Sequence, residues 1–184
     1  MTDQPSSTLA VVRERTTSDL PEAAAALVEV HTTDGYPVEG VDDPHAWLTS
    51  PHLLWAWVAE LDGRIVGHVA VTRPQPSDAA ATMWAHTTNG TGKPVAVLGR
   101  LFVVAAARRH AGGDRLMRAA TNIAHHHGLR LVLDVMTKDT AAIRLYERLG
   151  WLRIGTTEHD NGHGQLIPAH CYVSPSPSTE TARS

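Results

Sequence analysis

The clearest pattern along the chain is a pair of apolar runs at 52–73, HLLWAWVAELDGRIVGHVAVTR, interrupted at Asp62–Gly63. Two such runs about an Asp-Gly pair predict a β-hairpin, because glycine accepts the positive φ a tight turn demands. Trp55 and Trp57 alternate with Ala56, so both fall on one strand face and read as core. Ahead of the hairpin, LAVVRER (9–15) predicts a strand. TSDLPEAAAALVEVHTT then predicts an alanine-rich helix with Ser18 and Asp19 as cap candidates and Pro21 in its first turn. VDDPHAWLTS repeats that signal on a shorter scale, with Asp43 before Pro44. Residues 74–94 are rich in Pro, Ser, Thr, Asn and Gly and predict a long, partly irregular connection.

In the second half, PVAVLGRLFVV (94–104) predicts a strand leading into a helix that reaches His127. Leu116, Ala120 and Ile123 recur there at helical spacing and give an apolar stripe. LRLVLDVM (129–136) predicts a buried strand, and DTAAIRLYERLG (139–150) a helix closed by Gly150. WLRIGTTE and LIPAHCYV predict two final strands. The order predicts an α/β fold with a mixed central sheet of about seven strands flanked by about four helices. The 95–136 segment supplies a βαβ unit whose strands run parallel. One domain over 9–173 is expected, between a flexible start at 1–8 and a Ser/Pro/Thr-rich tail at 174–184 with little to bury.

Composition narrows the partners. The chain has 184 residues, 42% hydrophobic and 19% charged, enough for a buried core in one soluble domain. Sixteen Lys+Arg against nineteen Asp+Glu give a formal charge of -3, which argues against nucleic acid and makes any anion recognition local. The single cysteine, Cys171, excludes an internal disulfide framework, fits a reducing compartment and reads as a small core residue. MTDQPSSTLA lacks a hydrophobic leader core, and no apolar run is long enough to cross a bilayer. A cytoplasmic protein without a membrane partner is expected. No metal is expected either: His125, His126 and His127 fan roughly 100° apart on a helix, and His159 and His163 in HDNGH lack a third ligand.

The candidate chemistry begins at AAARRHAGGDRLM (105–117). Strand, basic glycine-bearing turn and helix form the arrangement of an anion site. The first helical turn has N–H groups without intrahelical partners, and the helix dipole favours negative charge there. Gly112 and Gly113 leave the backbone open to a ligand, and Arg108 and Arg109 bring charge. The same residues also fit a solvated basic helix start, and the stretch alone does not choose. It matches neither a Walker loop nor a G-x-G-x-x-G fingerprint.

LFVVAAARRHAGG and DTAAIRLYERLGW together resemble the two signature motifs of the GNAT superfamily of acyl-CoA N-acyltransferases. The first, [RQ]-x-x-G-x-[GA] after a strand, is filled by Arg108 to Gly113, with Ala111 in place of the first glycine and Ala105 in place of a usual proline. The second, N-x-x-A-x-x-L-Y-E-x-x-G-[FW], is filled by Asp139, Ala142, Leu145, Tyr146, Glu147, Gly150 and Trp151, with Asp139 replacing asparagine. The resemblance implies a GNAT-like fold and acetyl-CoA as co-substrate. It implies a pyrophosphate cradle from the main chain of Arg108, Arg109, His110, Ala111, Gly112, Gly113 and Asp114, with Arg109 and His110 alternatively on the nucleotide 3′-phosphate. It sets the Val103 backbone beside the pantetheine arm and gives Asp139 a hydrogen bond to that arm. An αR or β conformation at Ala111 would make its methyl group tolerable, and Asp114 must turn its carboxylate away from phosphate.

The resemblance further casts Tyr146 as the acid toward the CoA sulfur, against the alternative that it merely packs beside Leu145 and Leu149. A glutamate that some members carry on the first-motif strand falls at Val97, so the base is left to Glu60, His68 or His86 as candidates. Trp47 and Trp84 either line an acceptor site or pack. The expected function is transfer of acetyl from acetyl-CoA to a primary amine of a small-molecule or peptide acceptor. The alternative is a degenerate acyl-CoA-binding regulatory module. A homodimer through the last strands is common in such proteins.

Overall fold

The computed structural model describes residues 8–89 and 91–177. Seven strands form one sheet in the order β1-β2-β3-β4-β5-β7-β6. They are β1 (Val11–Glu14), β2 (Leu53–Leu61), β3 (Arg64–Thr72), β4 (Val95–Val103), β5 (Arg130–Met136), β6 (Leu152–Asp160) and β7 (Leu166–Val173). Only β4 and β5 pair in parallel; the other neighbours are antiparallel. The helices are α1 (Leu20–Asp34), α2 (Pro44–Leu48), α3 (Ala79–Thr87), α4 (Gly112–His126) and α5 (Thr140–Arg148). The arrangement is the mixed α/β sheet the sequence predicts.

Strand alternation divides the core into two layers. Trp57, Ala59, Val69, Leu131, Leu133 and Val135 face α4 and α5, where Leu116, Met117, Ala120 and Tyr146 complete one cluster. Val58 and Phe102 point the other way, onto Leu20, Ala23, Leu27 and Val30 of α1 and Leu48 of α2. The connection expected to be irregular at 74–94 contains a fifth helix, α3. Its AAATMWA run has the helix propensity that the flanking Pro and Ser residues mask, and Ala80 and Ala81 pack on Val132, Cys171 and Val173.

Two further details differ from expectation. Residues Ala105–His110 form a 3-10 turn, and α4 starts only at Gly112. At the other end, Ser174 is fully buried, whereas the tail was expected to begin there. Its hydroxyl accepts from the Leu131 N–H at 2.9 Å, its N–H donates to the Leu131 carbonyl at 2.8 Å, and its carbonyl accepts from Arg130. A small polar side chain at the end of β7 is thus held by backbone of β5, which a composition-based reading cannot register. The remainder of the expected tail, 178–184, and the expected flexible start at 1–7 lie outside the described residues. No described helix is long and apolar enough to cross a membrane.

Candidate active site

β4 and β5 lie side by side only where Val95, Ala96 and Val97 face Arg130, Leu131 and Val132. Beyond that the strands part, and a cleft of about 760 Å³ opens between them. A bulge bends β4 at the same level. β3 advances two residues from His68 to Ala70 while β4 spans the three from Phe102 to Gly99, and the inserted Arg100 has φ 54°. Just past the end of β4, Val104 donates to the Val66 carbonyl of β3 at 2.8 Å. Val103, one residue earlier, therefore turns its amide the opposite way, into the cleft. There its carbonyl accepts from Arg108 Nε at 3.2 Å, and its N–H has no partner among the described residues.

The N-terminus of α4 closes one end. Ala111 at the N-cap has φ 58° and ψ 18°, and no side chain caps the helix. The first-turn N–H groups are thus left for a ligand. Ala111, Gly113 and Asp114 line the cleft. Asp114 turns its carboxylate to Arg118 at 2.7 Å and toward Arg148 at 3.6 Å, which neutralises it. Arg108 pairs with Asp34 of α1.

α5 supplies the far wall. Asp139 sits at its N-cap, and burial lifts that carboxyl above its ordinary value. Tyr146 packs its ring against Trp151 at 6.0 Å and Tyr172 at 6.1 Å, while its hydroxyl meets no partner among the described residues. Burial, then the nearby charges of Asp139 and Asp134, push the phenol well above the usual tyrosine range. It is a neutral O–H donor at physiological pH.

The fold is shared with other proteins. The pattern of the Acetyltransferase (GNAT) family matches residues 22–151. The chain belongs to the GNAT acetyltransferase family. Solved structures with the same fold include a GNAT-family acetyltransferase from Streptococcus pneumoniae, 21% identical over 90% of this chain and 98% of that one, TM-score 0.65. They also include the ribosomal-protein-S18-alanine N-acetyltransferase from Escherichia coli, 18% identical over 96% and 100%, TM-score 0.66. A third is Arabidopsis thaliana NAA60 in complex with acetyl-CoA, 17% identical over 89% and 97%, TM-score 0.67. No functionally curated protein matches the chain in sequence.

Within this GNAT cleft the expected ligand residues separate into two groups. Val103, Arg108, Ala111, Gly113, Asp114, Asp139 and Tyr146 line it together. Arg109 points into solvent, and His110 holds the N-terminal segment through Nδ1 to the Thr8 carbonyl at 2.7 Å. Gly112 faces the core, where a β-carbon would stand 3.6 to 3.7 Å from Val103, Ala10 and Ala59.

The three candidate bases lie outside the cleft. Glu60 pairs with Arg13 at 3.2 Å. His68 is fully buried between Arg15 and the Arg100 carbonyl, and burial pushes its pKa down to about 3. His86 lies on the outer surface of α3 near Met83. The cleft holds instead Asp134 of β5, with His159 Nδ1 of β6 at 3.3 Å. The signal for it was present in LRLVLDVM, where one carboxylate interrupts an otherwise apolar strand. Cys171 faces Asp134 across the ladder, and burial raises its thiol to about 11, so it stays protonated. Of the two tryptophans, Trp47 lines the cleft. Trp84 instead donates to the Lys93 carbonyl at 3.1 Å and stacks under Arg130. Among the described residues no group of three or more His, Cys, Asp or Glu is placed to hold a metal ion.

Proposed function

We propose that this GNAT protein transfers an acetyl group from acetyl-CoA to a primary amine, with Tyr146 as the acid and Asp134 as the proton acceptor. The observation that carries the reading is the unpartnered Tyr146 hydroxyl, set in the cleft where β4 and β5 part. Acetyl-CoA, when bound, supplies the acyl group as an activated thioester. The open amide edge of Val103 offers a pairing site to its pantetheine arm, as an added strand would use it. The first-turn N–H groups from Ala111 to Asp114 offer the pyrophosphate its donors. Asp139 accepts a hydrogen bond from the arm.

An amine acceptor arrives mostly as ammonium and must lose a proton before it can attack. Asp134 accepts that proton, and His159 beside it holds the carboxylate in place. As the acceptor nitrogen bonds to the acyl carbon, the carbon–sulfur bond breaks. Tyr146 donates its proton to the departing sulfur, where negative charge develops.

An acceptor screen that follows free thiol release from acetyl-CoA tests the reading. Thiol release that depends on an added amine, and falls about a hundredfold in Tyr146→Phe, is the expected result. CoA binding without turnover on any amine would favour a non-catalytic acyl-CoA-binding module.

A further inference from the structure

Arg100 differs from the other arginines of the described residues that are not exposed, of which Arg15 donates through Nη1 to the Leu48 carbonyl at 2.8 Å. Arg13, Arg108, Arg118 and Arg148 pair with carboxylates. Arg130 has none, yet its Nε and both Nη atoms reach the Ser174 carbonyl or the Ser176 hydroxyl. Arg100 donates only through Nε, to the Trp47 carbonyl at 2.6 Å. Its guanidinium lies over the Trp47 ring at 5.5 Å, half-buried and lining the cleft. Neither Nη atom has a partner among the described residues. The acids Glu39 and Asp78 attract it but stand beyond ion-pair distance, and Arg15 repels it.

The backbone reinforces the point. A bulge re-aims the side chain of its inserted residue, and Arg100 holds a left-handed φ that an arginine adopts only at a cost of about 1 kcal/mol. Around it the acceptor end of the cleft carries mixed charge. Tyr36, from the loop between α1 and α2, lines the cleft together with Glu39, Arg100, Asp134 and Tyr146, so a cation and carboxylates share it. A guanidinium fixed by stacking, with two free donors, suits a planar anion held bidentately.

We propose that the acceptor is an aminocarboxylate, whose carboxylate docks on the Nη atoms of Arg100 while its amine faces Asp134 and Tyr146. This rests on the transferase reading above. An acceptor without the carboxylate leaves Arg100 partly desolvated and unpaired, so discrimination of about ten- to a hundredfold is expected.

The test uses amino acids of increasing amine-to-carboxylate separation, each paired with its own amide. For wild type, Arg100→Gln and Arg100→Lys, kcat/KM is measured for each pair. Affinity of CoA-loaded protein for the corresponding N-acetyl acid and N-acetyl amide is measured by titration calorimetry. Thermal melts confirm that the variants fold. The expected result is at least one acid preferred about tenfold or more over its amide. That ratio collapses toward one in Arg100→Gln and is partly kept in Arg100→Lys. Equal kcat/KM and equal affinity for every pair in wild type, or a preference that survives in Arg100→Gln, overturns the proposal. Thiol release with amides and acids alike would leave the transferase reading standing without it. A calorimetric acid preference lost in Arg100→Gln, with no thiol release from any acceptor, would keep the Arg100 site and remove the transferase reading.

Discussion

Ala111 holds the backbone shape of a glycine. Its φ of 58° is left-handed, where a β-carbon crowds the following carbonyl by roughly 1 kcal/mol. The methyl group is therefore disfavoured at the turn that leads into α4, and its φ is not the negative one that would have made it harmless. Ala111→Gly is expected to raise the free energy of unfolding by about 0.5–1 kcal/mol, net of the added freedom of the unfolded chain. Urea titration checks this, and an unchanged or lower stability would remove strain from the account. Asp134 gives a second prediction at this scale. Asp134→Asn removes the proton acceptor but leaves the acceptor amine able to lose its proton to solvent at high pH. Activity near pH 7 is expected to fall about a hundredfold, and the deficit to narrow as pH rises toward the amine's own pKa. A deficit of constant size from pH 7 to 10 would assign Asp134 a structural role instead.

The two glycines that open α4 do different work. Gly113 faces the cleft, and a β-carbon there would stand 3.3 Å from Leu145 of α5. Gly112 faces β2 and β4, where a β-carbon would make ordinary contacts of 3.6 to 3.7 Å but a charged side chain would meet only apolar neighbours. Gly112→Glu would put a carboxylate among Ala10, Ala59 and Val103 with no partner. The expected outcome is loss of cooperative unfolding by circular dichroism, not a folded protein that merely fails to bind CoA. A folded Gly112→Glu variant would place that glycine's open face on the ligand side. This division of labour marks the limit of what the sequence made legible. Strands and helices with strong periodicity, and the two spaced motifs around Arg108 and Tyr146, could be read directly because their signals are local. The grouping of Asp134 with Arg100 and Tyr36 could not. These residues come from a strand, a bulge and a loop far apart in the chain, and only the parting of β4 from β5 brings them to one cleft. The helix α3 was masked by the Pro and Ser residues that flank its alanine-rich run, and it packs on β4, β5, β6 and β7.

A sheet whose middle strands part must be held together from its flanks, and the β1 side shows how. Arg13 of β1 reaches Asp19 at the start of α1 with two bonds of 2.8 Å, and Glu60 of β2 with a third of 3.2 Å. Asp19 is buried and also accepts from the Thr16 N–H at 2.7 Å and the Thr16 hydroxyl at 2.9 Å. Chiefly through its bonds to the Arg13 guanidinium, the Asp19 carboxyl is held well below the usual carboxylate range. A depressed folded pKa stabilises the folded state fully above the unfolded value and loses that contribution as pH falls through the folded one. The clasp is therefore intact at neutral pH and weakens from about pH 4 downward. The wild-type curve alone sums over every ionisable group and does not isolate it. The difference between wild type and Asp19→Asn does, because the other groups are common to both. That difference in melting temperature is expected to be constant from pH 7 to about pH 5 and to contract steadily toward pH 2. A difference that keeps its full size down to pH 2 would mean that the Asp19 charge contributes nothing, and that only its shape and hydrogen bonds join α1 to the first strands.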